Sequence, residues 1–415
     1  MIADFILRHA QPLITCAGPA PRVGPAMAQS SAIGDGALAA REGRLLFVGP
    51  TEVCDRLVEP APDAVILDVT GHTVVPGFVD PHTHVVFAGD RRDELGRRLA
   101  GATYAEIAAQ GGGILKTVSA TRSASLGELV ELARPRLAEM LRAGTTTAEV
   151  KSGYGLTLAD ELKMLRAIRQ LAASQPIELS ATFMGAHELP PEFRHDRESY
   201  VRLVIDQMIP AVAEEQLAEW NDVFCERGVF TPSEAEQILD AGRRAGLAPR
   251  IHANELGETG GAGVAVRVAA RSADHLIFLS GADIAALAEA GVVATLLPAA
   301  AFYLKLGRYA PARQLIDAGA PVALGSDVNP GGGFSPSMPF AMTLACFGMG
   351  LTFEEALNAA TVNAAYALDR HDRVGSLEPG KQCDAVVVSG APTELLRVGA
   401  DAIRTVVKRG AIVGG

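Results

Sequence analysis

The stretch Val74-Val75-Pro76-Gly77-Phe78-Val79-Asp80-Pro81-His82-Thr83-His84 decides the fold of this chain. Its apolar half reads as a strand over Thr73–Val79, and its polar half carries two histidines two positions apart. Residues i and i+2 of an extended chain share a face. His82 and His84 therefore project together from a strand end, where two imidazoles can reach one ion. A bare pair of this kind also suits two surface histidines in a turn, so its surroundings must choose between the readings.

Downstream, apolar runs at Thr146–Val150, Ile177–Phe183, Asp222–Phe224, Pro249–Ile251, His275–Phe278, Val293–Leu297 and Val322–Leu324 alternate with amphipathic stretches. Examples of the latter are Leu126–Arg142, Ala159–Ala173 and Ser233–Ala245. In the first, Leu129, Leu132, Leu137 and Leu141 recur at helical spacing. About eight such βα units predict a closed parallel (β/α)8 TIM-like barrel; a doubly wound open sheet is the alternative. The barrel is favoured because nearly every predicted strand ends in a group fit for chemistry, and a barrel gathers those ends on one face. Upstream, residues 1–70 carry short β-like runs at Phe5–Leu7, Leu45–Val48 and Ala64–Asp68, and the tail, 371–415, carries Asp384–Val388 and Thr405–Val407. Both ends are expected to build one small β-sandwich domain beside a barrel spanning 71–370.

Composition supports this class. Hydrophobic residues make up 48% of the 415 positions but aromatics only 5%, so the core is built from Ala, Val, Leu and Ile, as suits parallel strands covered by helices. The 37 basic and 48 acidic residues leave a net charge of −11, which argues against a general nucleic-acid or anionic-membrane surface. One local arginine can still bind a small anion. Five scattered cysteines form no CxxC pair and read as reduced thiols rather than disulfides or zinc thiolates. The opening MIADFILRHAQPLITCAG is interrupted by Arg8, His9 and Gln11, so it reads as neither signal peptide nor membrane span. The expected location is cytoplasmic.

Three further strand ends offer ligand-type side chains. Ile251-His252-Ala253-Asn254-Glu255 places His252 after an apolar run and Glu255 on the loop beyond, so one can hold a metal while the other faces a water. Ala273-Asp274-His275 sets His275 at one end of the next strand, and Ala323-Leu324-Gly325-Ser326-Asp327 ends in a carboxylate that alone would read as a helix N-cap. Imidazoles and one carboxylate from separate strands make a single-metal site. His9, His72, His195 and His371 lie outside these patterns and read as structural or exposed; Cys225 reads as core. GGGI at Gly111–Ile114 lacks the GK[ST] ending of a phosphate loop.

The same motifs resemble the amidohydrolase superfamily. FAGDRRDE (Phe87–Glu94), GATYAEIAAQGGGI (Gly101–Ile114), KSGYGL (Lys151–Leu156), GAHELPPEF (Gly185–Phe193), DVFCE (Asp222–Glu226) and SDVNPG (Ser326–Gly331) narrow the resemblance to the imidazolonepropionase family. That resemblance implies metal-assisted hydrolysis of the ring amide of 4-imidazolone-5-propanoate to N-formimidoyl-L-glutamate, in histidine degradation. It implies one Zn or Fe ion per chain on His82, His84, His252 and Asp327, with Glu255 as general base and His275 as partner to the water or oxyanion. It further implies substrate contacts from Arg91, Tyr104, Tyr154, His187, Glu255, Asn329, Gly331 and Gly332, with Arg91 and Tyr104 at the carboxylate of a small anionic cyclic substrate, and a homodimeric assembly. KSGYG matches the one-metal pattern, against reading Lys151 as a bridging ligand for two metals.

Two departures stand out. Gly332 occupies a position where a small hydroxylated residue is frequent, in a loop, Gly331–Phe334, that is longer than usual. HANEL differs from the commoner acidic or Gln versions of its loop, yet keeps an acid at Glu255. Two rival readings remain. A nucleobase or aminoimidazole deaminase shares the metal residues but would not require an Arg91–Tyr154 carboxylate clamp. A catalytically dead barrel used as a binding module would lack metal ligands or Glu255, and all are present.

Overall fold

A computed structural model describes residues 1–102, 106 and 111–414; Tyr104 lies outside the described residues. Eight strands form the central body: β1 Phe78–Asp80, β2 Thr145–Lys151, β3 Glu178–Ala186, β4 Trp220–Cys225, β5 Ala248–Ala253, β6 Ser272–His275, β7 Val293–Leu296 and β8 Val322–Leu324. They pair in parallel and in sequence order. Beyond the last strand the C-terminal rim is laced shut by backbone bonds: His84 N donates to Val328 O at 2.9 Å and Asp327 N to His82 O at 3.0 Å. The two segments richest in ligand-type residues thus form the seam of a TIM-like barrel.

Burial on both faces explains why these strands read as nearly continuous apolar runs; every residue of β2, β6, β7 and β8 is buried. Helices cover the outside. Helix Leu126–Arg142 starts at a capping box, Ser125 with Glu128, and buries Leu129, Val130, Ala133, Leu137, Met140 and Leu141. Leu132, which helical spacing alone grouped with that face, is 41% exposed, because the buried arc turns through Ala133 and Val130 instead.

Two strand boundaries differ from expectation. Thr73–Val79 is not one strand. Thr73–Pro76 pairs antiparallel with the tail strand Ala385–Val388, and β1 begins after Gly77, whose amide donates to Asp384 O at 2.9 Å. An apolar run reads alike in either sheet, so only the pairing partner reveals the break. The sixth strand lies over Ser272–His275 rather than His275–Phe278; the chain turns off at His275 and Leu276, with φ of 74° and 55°.

The chain's ends build two further sheets. Ile2–Ala10, Gly36–Arg41, Arg44–Pro50 and Glu59–Asp68 form one; Leu13–Ile14, Ala32–Ile33 and Thr73–Pro76 join Ala385–Val388, Ile403–Lys408 and Ala411–Gly414 in the other. A core including Phe5, Leu13, Leu38, Val74, Val387 and Val407 unites them. They meet the barrel at the start of β3, where Glu178 accepts from Arg373 at 2.9 Å, Gln382 at 3.1 Å and Arg409 at 3.2 Å. That is the end of the barrel opposite the site described next.

Candidate active site

His82 and His84 follow β1, His252 lies in β5, His275 ends β6 and Asp327 follows β8. All are buried and converge. His82 Nε2 lies 3.5 Å and His84 Nε2 3.7 Å from Asp327 Oδ1. Ligand-type atoms of His82, His84 and His252, and of His82, His275 and Asp327, fall within 4.8 Å of one another. Behind them stand two carboxylates that sequence reasoning did not assign. His82 Nδ1 is 2.7 Å from Asp274 Oδ2, and His252 Nδ1 is 3.1 Å from Asp222 Oδ1. A carboxylate that accepts from Nδ1–H leaves the Nε2 lone pair facing the shared space. Both acids sit in quoted motifs. Their role follows from strand register, which sets Asp274 beside His252 and Asp222 beside Arg250, and linear spacing does not display it.

The residues fit a metal. Burial pushes His82, His84 and His275 well below the usual histidine pKa, so these imidazoles are neutral donors. Burial also pushes the Asp327 carboxyl up to about 7, although His252 and Asn329 act the other way. His82 Nε2 is buried with no hydrogen-bond partner among the described residues. An orphaned imidazole nitrogen beside an under-compensated carboxylate is what a bound cation satisfies, and a nitrogen-rich set with one oxygen suits a transition metal. Lys151 is not available as a bridging ligand: its ammonium lies 2.6 Å from Glu149 and 2.7 Å from Asp222.

Above this cluster opens a cavity of about 870 Å³, lined by His84, His252, His275, Asp327 and the loops around them. Glu255 lines it, with Oε2 3.7 Å from His275 Nε2. Burial, with Asp327 and Glu226 adding repulsion, raises the Glu255 carboxyl well above its ordinary range. The loop bearing Glu255 is tied by Leu256 N, which donates to Glu226 at 2.8 Å. Tyr154 lines the same cavity, on a loop whose Gly153, Gly155 and Leu156 amides donate to Glu161 at 3.0, 2.8 and 2.8 Å. His187 stacks on His84 at 5.1 Å, and its Nδ1 is 3.0 Å from Gly153 O. Burial and the nearby His252 push His187 down to about 3, so its Nδ1–H donates to that carbonyl and Nε2 is left as an acceptor.

Arg91 begins the helix that follows the HxH loop. Its Nε and Nη2 donate to Glu94 at 2.9 and 2.8 Å, a bidentate pair. Glu94 also accepts from Gly113 N at 2.8 Å, so the glycine run near Ile114 binds a protein carboxylate rather than a phosphate. Gly331 backs Arg91: a Cβ there would overlap Arg91 Nη1. Asn329 organises the same loop. Its Oδ1 accepts from Gly331 N at 2.8 Å and Gly332 N at 2.6 Å, and its Nδ2 donates to Asp327 O at 2.7 Å. Asn329, Gly331 and Gly332 all line the cavity. Cys225 is buried, and burial pushes its thiol up to about 12, the reverse of an activated nucleophile.

The model of the amidohydrolase family matches residues 73–413. An imidazolonepropionase of Symbiobacterium thermophilum is 51% identical over 99% of this chain and 97% of its own length. One from Geobacillus kaustophilus is 47% identical over the same shares of both chains. Among solved structures, an adenosine deaminase from Xanthomonas campestris with bound zinc superposes with a TM-score of 0.73 at 18% identity, covering 99% of this chain and 93% of its own. At that identity the likeness shows the fold alone. With both full-length relatives far above that level, the chain belongs to the amidohydrolase family and, within it, to the imidazolonepropionases, which hydrolyse a C–N bond of a cyclic amide.

Proposed function

We propose that the chain hydrolyses the ring amide of 4-imidazolone-5-propanoate to N-formimidoyl-L-glutamate, using one zinc or iron ion held by His82, His84, His252 and Asp327. The observation that carries this reading is the convergence of those side chains under a cavity that also contains Glu255 and Arg91. When bound, the metal supplies a Lewis acid that polarises the carbonyl and makes water a competent nucleophile near neutral pH.

The protein's own groups account for the rest. Arg91, held edge-on by Glu94, offers a planar guanidinium to the propionate carboxylate. His187 Nε2 accepts from a ring N–H, which orients the ring. As water attacks the ring carbonyl carbon, Glu255 takes its proton and His275 stabilises the oxyanion. Glu255 then delivers that proton to the ring nitrogen as the C–N bond breaks, leaving the new carboxylate and the formimino group. A group that first accepts and then donates a proton cannot be a strongly stabilised anion, and burial moves the Glu255 carboxyl upward, away from that state. Tyr104 joins Arg91 at the carboxylate in this reading.

The test is an ultraviolet assay of imidazolonepropionate consumption with identification of the product, beside elemental analysis of the pure protein. Formimidoylglutamate and one metal per chain are expected. Release of ammonia from aminoimidazole or nucleobase substrates, with imidazolonepropionate untouched, would move the chain to the deaminase reading. Two metals per chain, both dependent on Lys151, would overturn the single-ion assignment. The five free cysteines suit a reducing cytoplasm. The homodimer implied by the resemblance is checked by sedimentation.

A further inference from the structure

The chemistry above leaves Lys151 without a task, yet its side chain is wholly buried. An ammonium in such a place must be paired closely to be tolerated. Its Nζ lies 2.6 Å from Glu149 Oε1, 2.7 Å from Asp222 Oδ2 and 3.8 Å from Asp274 Oδ2. The other oxygen of Asp222 faces His252, accepting from its backbone N at 3.2 Å and lying 3.1 Å from Nδ1. Asp274 Oδ2 lies 2.7 Å from His82 Nδ1, while its Oδ1 accepts from Ser272 at 2.6 Å. One ammonium on β2 therefore spans the carboxylates behind two imidazoles carried by different strands. Arg250 flanks the group, 3.6 Å from Asp274 and 4.0 Å from Glu149, but is itself spent on Ala367 O and Pro81 O, both at 2.9 Å. Burial alone would lower the pKa of Lys151; Asp222 and Glu149 outweigh it and hold the group above the ordinary lysine value, so it stays a cation.

We propose that Lys151 is a positioning residue of the metal centre: by holding Asp222 and Asp274 against Nδ1 of His252 and His82, it fixes the tautomer in which both Nε2 lone pairs face the ion. The inference rests on the ligand assignment above. Without the ammonium nothing on β2 draws Glu149, Asp222 and Asp274 to one point, and Asp222 and Asp274 lose the contact that seats them against the two rings. An imidazole whose Nδ1 acceptor has moved away no longer has its N–H held at that nitrogen, and the tautomer with N–H on Nε2 cannot bind an ion there.

The test uses zinc ion alone as the probe on metal-free full-length protein, by competition with a chromophoric chelator. Nitrogen NMR of the histidine rings reports the tautomer, and circular dichroism reports the fold. Lys151→Met is expected to stay folded, to lose zinc affinity by about 10- to 100-fold, and to show Nε2–H signals for His82 or His252. A folded Lys151→Met with native zinc affinity, or with reduced affinity but unchanged tautomers, overturns the proposal. Should that variant not fold, Asp222→Asn carries the test, since it keeps shape but removes the anionic acceptor; native zinc affinity there overturns the proposal equally. His252→Ala separates the two levels. Native affinity in that variant sinks the ligand assignment itself. Loss there, with native affinity in Lys151→Met, sinks only the role of Lys151.

Discussion

Behind His82 and His252 the partners Asp274, Asp222, Glu149 and Lys151 all come from barrel strands and are fully buried. Arg91, Tyr154 and Glu255 line the cavity outside the strands, beside loops gathered by the buried carboxylates of Glu94, Glu161 and Glu226. One wall is set by strand register. The other is set by backbone amides converging on single acids. The difference teaches a division of labour: the groups behind the clustered imidazoles are fixed by the sheet, while Arg91, Tyr154 and Glu255 stand on loops whose shape a few glycines permit. In the proposed reading, the first wall supports the ion, and the second supplies the acid–base group and decides which ring amide is opened.

Glu255→Gln removes the acid–base group of the loop wall and carries the largest expected effect. Gln keeps the size but cannot shuttle a proton, so kcat is expected to fall by about 10²- to 10⁴-fold with metal content unchanged. Near-normal kcat at full metal loading would remove Glu255 from the acid–base role.

Arg91→Ala acts on the reading wall. Losing a charged hydrogen bond worth roughly 1.5–3 kcal/mol lowers kcat/KM by about 10- to 10²-fold. An imidazolone lacking the propionate should lose as much on the native protein, and Arg91→Lys should recover part, since an ammonium cannot form the planar pair. Steady-state kinetics on both proteins with both substrates forms a double-mutant cycle. Simple addition of the two losses means that Arg91 does not read the propionate.

A smaller effect is expected from Gly331→Ala. The added methyl displaces the Arg91 guanidinium, and overpacking of this kind costs about 1–3 kcal/mol. The expected result is a drop of about tenfold in kcat/KM for the native substrate and little change for the analogue without a carboxylate. Equal loss on both would place the damage in the Asp327 loop instead.

Ser125→Ala lies outside both walls and sharpens the comparison as a control. Loss of the capping box on helix Leu126–Arg142 costs about 1 kcal/mol of stability, read as a small drop in Tm with kcat/KM unchanged. A change in kinetics would mean that this helix transmits strain to the HxH loop, which Arg136 of the same helix holds through Val85 O and Phe87 O at 2.7 and 2.8 Å.

Much of the candidate metal cluster was legible in the linear chain, because its ligand-type residues sit at strand ends and period-two alternation announces HxH and the carboxylate after Leu324. Asp222 and Asp274 were less so. Their function depends on which strands neighbour each other across the barrel, and no local pattern encodes that. The resemblance singled out Arg91, Tyr154 and Glu255, which line the cavity, but not the acids that shape their loops. Glu161 reads as an ordinary first-turn residue of a helix until three amides are seen to point at it.

The sequence by itself determined the alternation of short apolar strands with amphipathic helices and the ligand-type residues at the strand ends. These follow from periodicity and side-chain chemistry, which are local properties. Tertiary structure decided where Thr73–Val79 breaks between two sheets, that His275 ends its strand, that Lys151 pairs with carboxylates rather than meeting an ion, and that Arg91 is held by Glu94 and backed by Gly331. Each of these turns on a contact between residues distant in the chain or on a backbone turn set by one. Such contacts exist only once closure of the barrel has chosen the neighbours.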